Sequence, residues 1–175
     1  SDKSSNNSPT QQQISAPATP TNVRSVLDKV KPAVVTIQAS SRGESGTGTG
    51  MIISTDGEIL TNAHVVNGAS NIRVTLDDHK DSIPAKLLGV DPSIDSALIK
   101  IDPPEQLRAV EFGDSTAIQV GDEVIAIGNA IALAGGPSVT TGIVSAKDRD
   151  ISDGSQSLSN LIQTDAAINT GNSGG

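Results

Sequence analysis

From Val34 onward the chain consists of short β-branched runs cut off by Gly, Asp, Asn and Pro, and this punctuation constrains the fold more than any other feature. The runs are Val34–Ile37, Gly50–Ile53, Ile72–Leu76, Ala85–Val90, Ala97–Ile101, Glu123–Ile127 and Val139–Val144. Each has strand length, and none carries a helical period long enough to compete. Thr55-Asp56-Gly57-Glu58 between two runs is a hairpin signal. Many short strands without a long helix imply an all-β barrel or sandwich. A boundary near Pro103-Pro104 divides the pattern into a first set of strands, about 34–101, and a second from about 110.

Ahead of the strands, Val23, Val26, Leu27 and Val30 fall at helical spacing. Thr21 or Asn22 can cap the start and Pro32 stops the end, so a short N-terminal helix is expected. Residues 1–21 are Ser-, Asn-, Gln- and Thr-rich, with Ile14 as their one large apolar side chain. Such a segment buries too little surface to offset its ordering entropy and is expected to be a disordered linker.

Composition narrows the function classes. Formal charge is −8 with 12 Lys and Arg against 20 Asp and Glu, so the basic footprint that nucleic acid requires is missing. The chain has no Cys and two His, which gives neither disulfides nor a zinc-type ligand spacing, and no metal or cofactor is expected. No apolar run approaches the length of a membrane span.

Three polar positions point instead to nucleophilic chemistry. The chain carries Thr61-Asn62-Ala63-His64, then Asp91-Pro92-Ser93-Ile94-Asp95, then Gly171-Asn172-Ser173-Gly174-Gly175. The order His, Asp, Ser is that of chymotrypsin-type triads. A serine hydroxyl is a weak nucleophile until an adjacent base, itself oriented by an acceptor, takes its proton. Glycines around a serine suit a tight turn whose N–H groups approach a developing oxyanion, here those of Gly171 and Ser173. Each element alone has a plainer explanation: a flexible Gly-rich loop, a structural histidine at a strand end, a turn aspartate. Either Asp91 or Asp95 could serve as the acceptor. His79, in Leu76-Asp77-Asp78-His79-Lys80, reads as part of an exposed turn.

Together with Phe112-Gly113-Asp114-Ser115, Gly121 through Asn129, Thr141 through Ala146 and Gln163 through Asn169, these stretches resemble the HtrA (Deg) family of serine endopeptidases, in order and spacing, from about Val23 to Gly175. The resemblance implies a chymotrypsin-like double β-barrel over 22–175 with the active site between the barrels. It implies His64 as general base, Asp95 as its orienting acceptor and Ser173 as nucleophile. It further implies an extracytoplasmic protein of the periplasm or cell envelope, membrane-anchored in some forms, that degrades unfolded polypeptides. Homotrimers and C-terminal PDZ domains belong to the same expectation. An acid six residues before the nucleophile selects basic P1 residues in trypsin-like relatives. Ala167 stands there, with Ile168 and Asn169 beside it, so small or medium apolar P1 side chains are expected. The loops Ala130–Pro137 and Asp148–Asn160 are expected to be mobile. Ser173 lies two residues from the end of this chain, so an incomplete second barrel and impaired activity are expected of it. The alternative is a barrel that holds unfolded polypeptide without cutting it.

Overall fold

A computed structural model describes residues 22–129, 136–152 and 157–175. The expected linker, residues 1–21, lies outside the described residues.

Helix α1 covers Val23–Val30. Its N-cap is Asn22, whose side chain accepts from the Ser25 N–H at 3.1 Å, as the capping preference of Asn requires. A short 3₁₀ turn over Lys31–Ala33, with Pro32 inside it, leads into the first strand. Lys31 pairs with Asp77 at 3.2 Å, which ties this turn to the segment that follows the strand paired with the first, and the Asp77 carboxylate raises the Lys31 ammonium above its ordinary value.

Six antiparallel strands then close a barrel in the order β1-β2-β3-β6-β5-β4. They are β1 Val34–Ser41, β2 Glu44–Ile52, β3 Glu58–Thr61, β4 Asn71–Thr75, β5 Ser82–Asp91 and β6 Ser96–Ile101. Closure removes free edges, and the inward residues of each strand fill the interior. In β6 the alternation is plain: Ala97, Ile99 and Ile101 are buried, while the residues between them are half-buried. Ile37, Ile52, Ile59, Val74 and Ile99 are completely buried and form the centre of the core. β5 is the exception. It bulges between Leu87 and Gly89 and leaves Leu87, Leu88 and Val90 exposed. The apolar run Ala85–Val90 is therefore a strand but not a core strand.

Past the Pro103-Pro104 connection, Val110 donates its N–H to Ile52 O at 2.8 Å and joins the chain to the barrel wall. A second sheet follows, in the order β7-β8-β9. It comprises β7 Glu123–Gly128, β8 Ser138–Ser152 and β9 Ser157–Thr164. β8 pairs with β7 through Ser138–Ile143 and with β9 from Val144 onward, so one long strand serves both neighbours. Among the described residues the fold is thus mostly β, with one closed barrel and one open three-stranded sheet.

Two expectations change. The stretch 148–160 is largely hairpin, not loop: Arg149 pairs with Leu161, Ile151 with Leu158 and Ser152 with Ser157. Polar side chains there face solvent on a paired strand, and backbone pairing rather than burial holds it. Residues 130–135 and 153–156, parts of the two loops expected to be mobile, lie outside the described residues. His64 lies not at a strand end but on a one-turn helix, α2, Ala63–Val66.

Candidate active site

α2 follows β3 directly. Ala63 and Val66, three positions apart and so on one face, are 2% and 0% exposed. Burying that face turns His64 outward, and its side chain is 58% exposed. Asn62 precedes the helix in extended conformation. Its side-chain amide donates to Asp95 O at 2.8 Å, which links α2 to the segment ahead of β6.

That segment is a 3₁₀ turn, Pro92–Ile94, between β5 and β6. Asp91 caps it, its carboxylate accepting from the Ser93 hydroxyl at 2.6 Å and the Ser93 N–H at 2.9 Å. These donors hold the Asp91 carboxyl below the ordinary carboxylate range. Asp95 ends the turn in left-handed conformation, φ +49° and ψ +46°, a geometry that Asp and Asn tolerate better than other side chains. Its carboxylate thereby faces α2. Oδ1 accepts from the His64 backbone N–H at 3.0 Å, and Oδ2 lies 2.8 Å from His64 Nδ1. Asp95 is 15% exposed, well shielded beside the open imidazole. Asp91 and Asp95 are thus separated by their partners: one caps a turn, the other holds the histidine.

An ionised carboxylate only accepts hydrogen bonds, so the pair places the imidazole proton on Nδ1 and leaves the Nε2 lone pair outward. His64 also lines an open groove of about 650 Å³, together with Ser41, Arg42, Glu44, Val65 and Asn67 among others.

Ser173 reaches the same region from the second sheet. Its carbonyl accepts from the Thr49 N–H on β2 at 2.8 Å. Next to Thr49, a Cβ on Gly48 would lie 2.7 Å from Val65 Cγ1 and 3.2 Å from Ser173 O. Only a residue without a side chain lets the serine backbone and the helix carrying His64 approach β2 together. Among the described residues, the Ser173 hydroxyl makes no hydrogen bond to the imidazole. Gly171 has φ +95° and Gly174 φ +91°. Asn172 donates its N–H to Asn169 O and accepts, through its carbonyl, from the Gly175 N–H. Among the described residues, the N–H groups of Gly171 and Ser173 donate to no acceptor.

Ala167, Ile168 and Asn169 are exposed, and the Ala167 carbonyl accepts from the Thr140 hydroxyl at 2.8 Å. His79 pairs with Glu105 at 3.1 Å, away from this region. Among the described residues no group of three or more His, Cys, Asp or Glu could hold a metal.

Sequence reasoning passed over Thr49, which is completely buried and bonded to Gly171 in the serine turn and to Asn129 just past β7. The signal available was Gly48-Thr49-Gly50, since glycines inside a strand mark a close backbone approach. It also passed over Asp165 as a structural residue. Asp165 Oδ1 accepts the Ile143 N–H at 2.8 Å, where β8 passes from β7 to β9.

Residues 48–175 match the family model described as trypsin-like peptidase domain. The chain is 52% identical over 129 residues to a "Probable periplasmic serine endoprotease DegP-like" of Rickettsia prowazekii (strain Madrid E), covering 73% of this chain and 25% of that protein. It is 46% identical over 144 residues to a "Probable periplasmic serine protease do/HhoA-like" of Haemophilus influenzae (strain ATCC 51907 / DSM 11121 / KW20 / Rd), covering 79% of this chain and 30% of that protein. Among solved structures, "HtrA-type protease AlgW with tripeptide" superposes with TM-score 0.79 at 41% identity, over 87% of this chain and 49% of that one. The chain therefore spans a quarter to a third of the length of these curated relatives. With a closed barrel that carries a histidine–aspartate pair and a glycine-flanked serine held against it, the chain belongs to the trypsin-like peptidase domain family, among relatives of HtrA and DegP type.

Proposed function

We propose that the protein is a serine endopeptidase of HtrA type. The single observation that carries this reading is the double contact of Asp95 with His64, which holds the ring by its backbone and by Nδ1 at once. Ser173 is the nucleophile, His64 takes its proton through Nε2, and Asp95 keeps the imidazole in the accepting tautomer and stabilises the imidazolium. Backbone N–H groups of Gly171 and Ser173 receive the oxyanion. Ala167, Ile168 and Asn169 border the P1 pocket, where the absence of a carboxylate at Ala167 favours small or medium apolar side chains.

Residues 22–175 act as the protease domain and 1–21 as a linker. Unfolded or damaged polypeptides are the substrates, in a quality-control role. The relatives' names support a periplasmic or cell-envelope location. The family resemblance supports membrane attachment, a homotrimer and a C-terminal PDZ domain in the intact protein.

The test is fluorophosphonate labelling of the intact protein beside Ser173→Ala, with casein digestion in parallel. Label should map to Ser173, and Ser173→Ala should lower kcat by about 10⁶, the loss known for a nucleophile knockout in a serine protease of another fold. Equal casein hydrolysis by the two proteins would overturn the reading. Casein binding without labelling or cleavage would return the barrel to a purely polypeptide-holding role.

A further inference from the structure

We infer that Thr49 is the positioning residue of the nucleophile turn, a clamp on the first barrel that sets the peptide planes on either side of the Asn172–Ser173 bond. The inference rests on reading Ser173 as the nucleophile. Thr49 is completely buried in β2 and bonds through all of its polar atoms. Its hydroxyl donates to Gly171 O at 2.7 Å and accepts from the Asn129 N–H at 2.8 Å. Its N–H donates to Ser173 O at 2.8 Å, and its carbonyl accepts from the Thr61 hydroxyl at 2.7 Å. One side chain thus joins β2 to the end of β7 and to the serine turn.

The consequence for the turn follows from peptide planarity. The carbonyls of Gly171, Asn172 and Ser173 are each taken by a donor: the Thr49 hydroxyl, the Gly175 N–H and the Thr49 N–H. Across a trans peptide the N–H points opposite to the C=O. Pinning the Asn172 carbonyl toward Gly175 aims the Ser173 N–H the other way, and it donates to no acceptor among the described residues. Thr49 fixes the planes before and after that bond. Close packing reinforces the clamp: a Cβ on Gly174 would lie 2.3 Å from Thr61 Oγ1 and closer still to Thr49 O. The turn is pressed so closely against the Thr49–Thr61 pair that position 174 has no room for a side chain. An oxyanion donor is effective only when its direction is set before the reaction.

Thr49→Val keeps the shape and removes the hydroxyl, leaving Gly171 O and the Asn129 N–H without their partner. Thr49→Ser restores the hydroxyl. Both are made in the intact protein, with Ile99→Val as a core control that touches no part of the turn. Fluorophosphonate labelling and peptide kinetics should show kcat of Thr49→Val down by about 10–10², the scale of an ångström-sized misplacement, with KM within about twofold. Thr49→Ser should recover most of that loss. Amide exchange at Asn172 and Gly175, the two N–H groups bonded within the turn, should accelerate at least tenfold in Thr49→Val and not in Ile99→Val. Unchanged exchange in a folded Thr49→Val variant overturns the clamp. Accelerated exchange with unchanged kcat overturns its positioning role. If the parent and Ser173→Ala label equally, the protease reading fails, and exchange alone still decides whether Thr49 holds the turn.

Discussion

Replacing Asp95 by Asn tests the proposed chemistry with little disturbance of the fold. Asn is the one other branched polar side chain that tolerates the left-handed backbone found at position 95. The amide, however, offers one acceptor where the carboxylate offers two. The His64 backbone N–H is a fixed donor 3.0 Å from Oδ1, so the amide oxygen must occupy that place. Its NH₂ then faces His64 Nδ1 across the 2.8 Å gap. Nδ1 has to become the acceptor, the ring proton moves to Nε2, and the nitrogen meant to accept the serine proton now carries one. The opposite amide flip sets two donors against each other and costs about 1–3 kcal/mol. The corresponding substitution in a trypsin-type enzyme lowers kcat by about 10⁴, equivalent to about 5.5 kcal/mol of transition-state stabilisation. We expect a loss of that order in Asp95→Asn, with KM nearly unchanged and a thermal transition close to that of the parent. Steady-state hydrolysis of a fluorogenic peptide gives the rate, and ¹⁵N NMR of the His64 ring gives the tautomer. A folded variant with kcat within tenfold of the parent, or one whose ring keeps the Nδ1 proton, would refute the reasoning.

Two further outcomes follow from the barrel and from the Asp91 turn. Ile99 is completely buried and pairs with Ile59 across β3 and β6, the strands that flank the His64 and Asp95 segments. Ile99→Ala should lower unfolding free energy by about 2–5 kcal/mol, and a loss well under 1 kcal/mol in urea titration would show that the interior repacks. The Asp91 carboxyl is held low first by the Ser93 hydroxyl and then by the Ser93 N–H. Because its folded-state value lies below the unfolded one, its contribution to stability is complete above about pH 4 and is lost as pH falls through the depressed value. Ser93→Ala should raise the Asp91 midpoint read by NMR, and an unmoved midpoint would contradict the assignment.

The sequence made the first barrel readable because its strands alternate. Ala97, Ile99 and Ile101 mark an inward face directly, and Asn22 and Pro32 bracket α1 as their chemistry requires. β9 was not legible for the opposite reason. Leu158, Leu161 and Thr164 are its half-buried positions, spaced by three. The register of β8 against β9 shifts between Val144 and Ala146, between Ala146 and Arg149, and between Arg149 and Ile151. Such irregularities erase the period-two signal on which strand recognition depends. At the site, His64 and the Asp91–Asp95 stretch stood out by residue type and order, and Ser173 by its glycine context as well. The partner separation of Asp91 from Asp95 did not, because it depends on which way one turn points its carboxylates. Thr49 was hidden by distance along the chain: its bond to Gly171 spans 122 positions, and no local pattern reports such a contact.

The left-handed backbone of Asp95 has a consequence for how substitutions at this position rank. Judged by charge, Glu is the nearest replacement. Judged by backbone, Asn and Gly come first, and a longer side chain that lacks the local hydrogen bonding of Asp is strained at φ +49° before any chemistry is considered. The two orders run against each other, and Asp alone stands near the head of both. A saturation library at position 95 should therefore divide into folded members without a carboxylate and one carboxylate member with a strained turn. Mutational drift through single substitutions has no intermediate there that keeps both the turn and the charge.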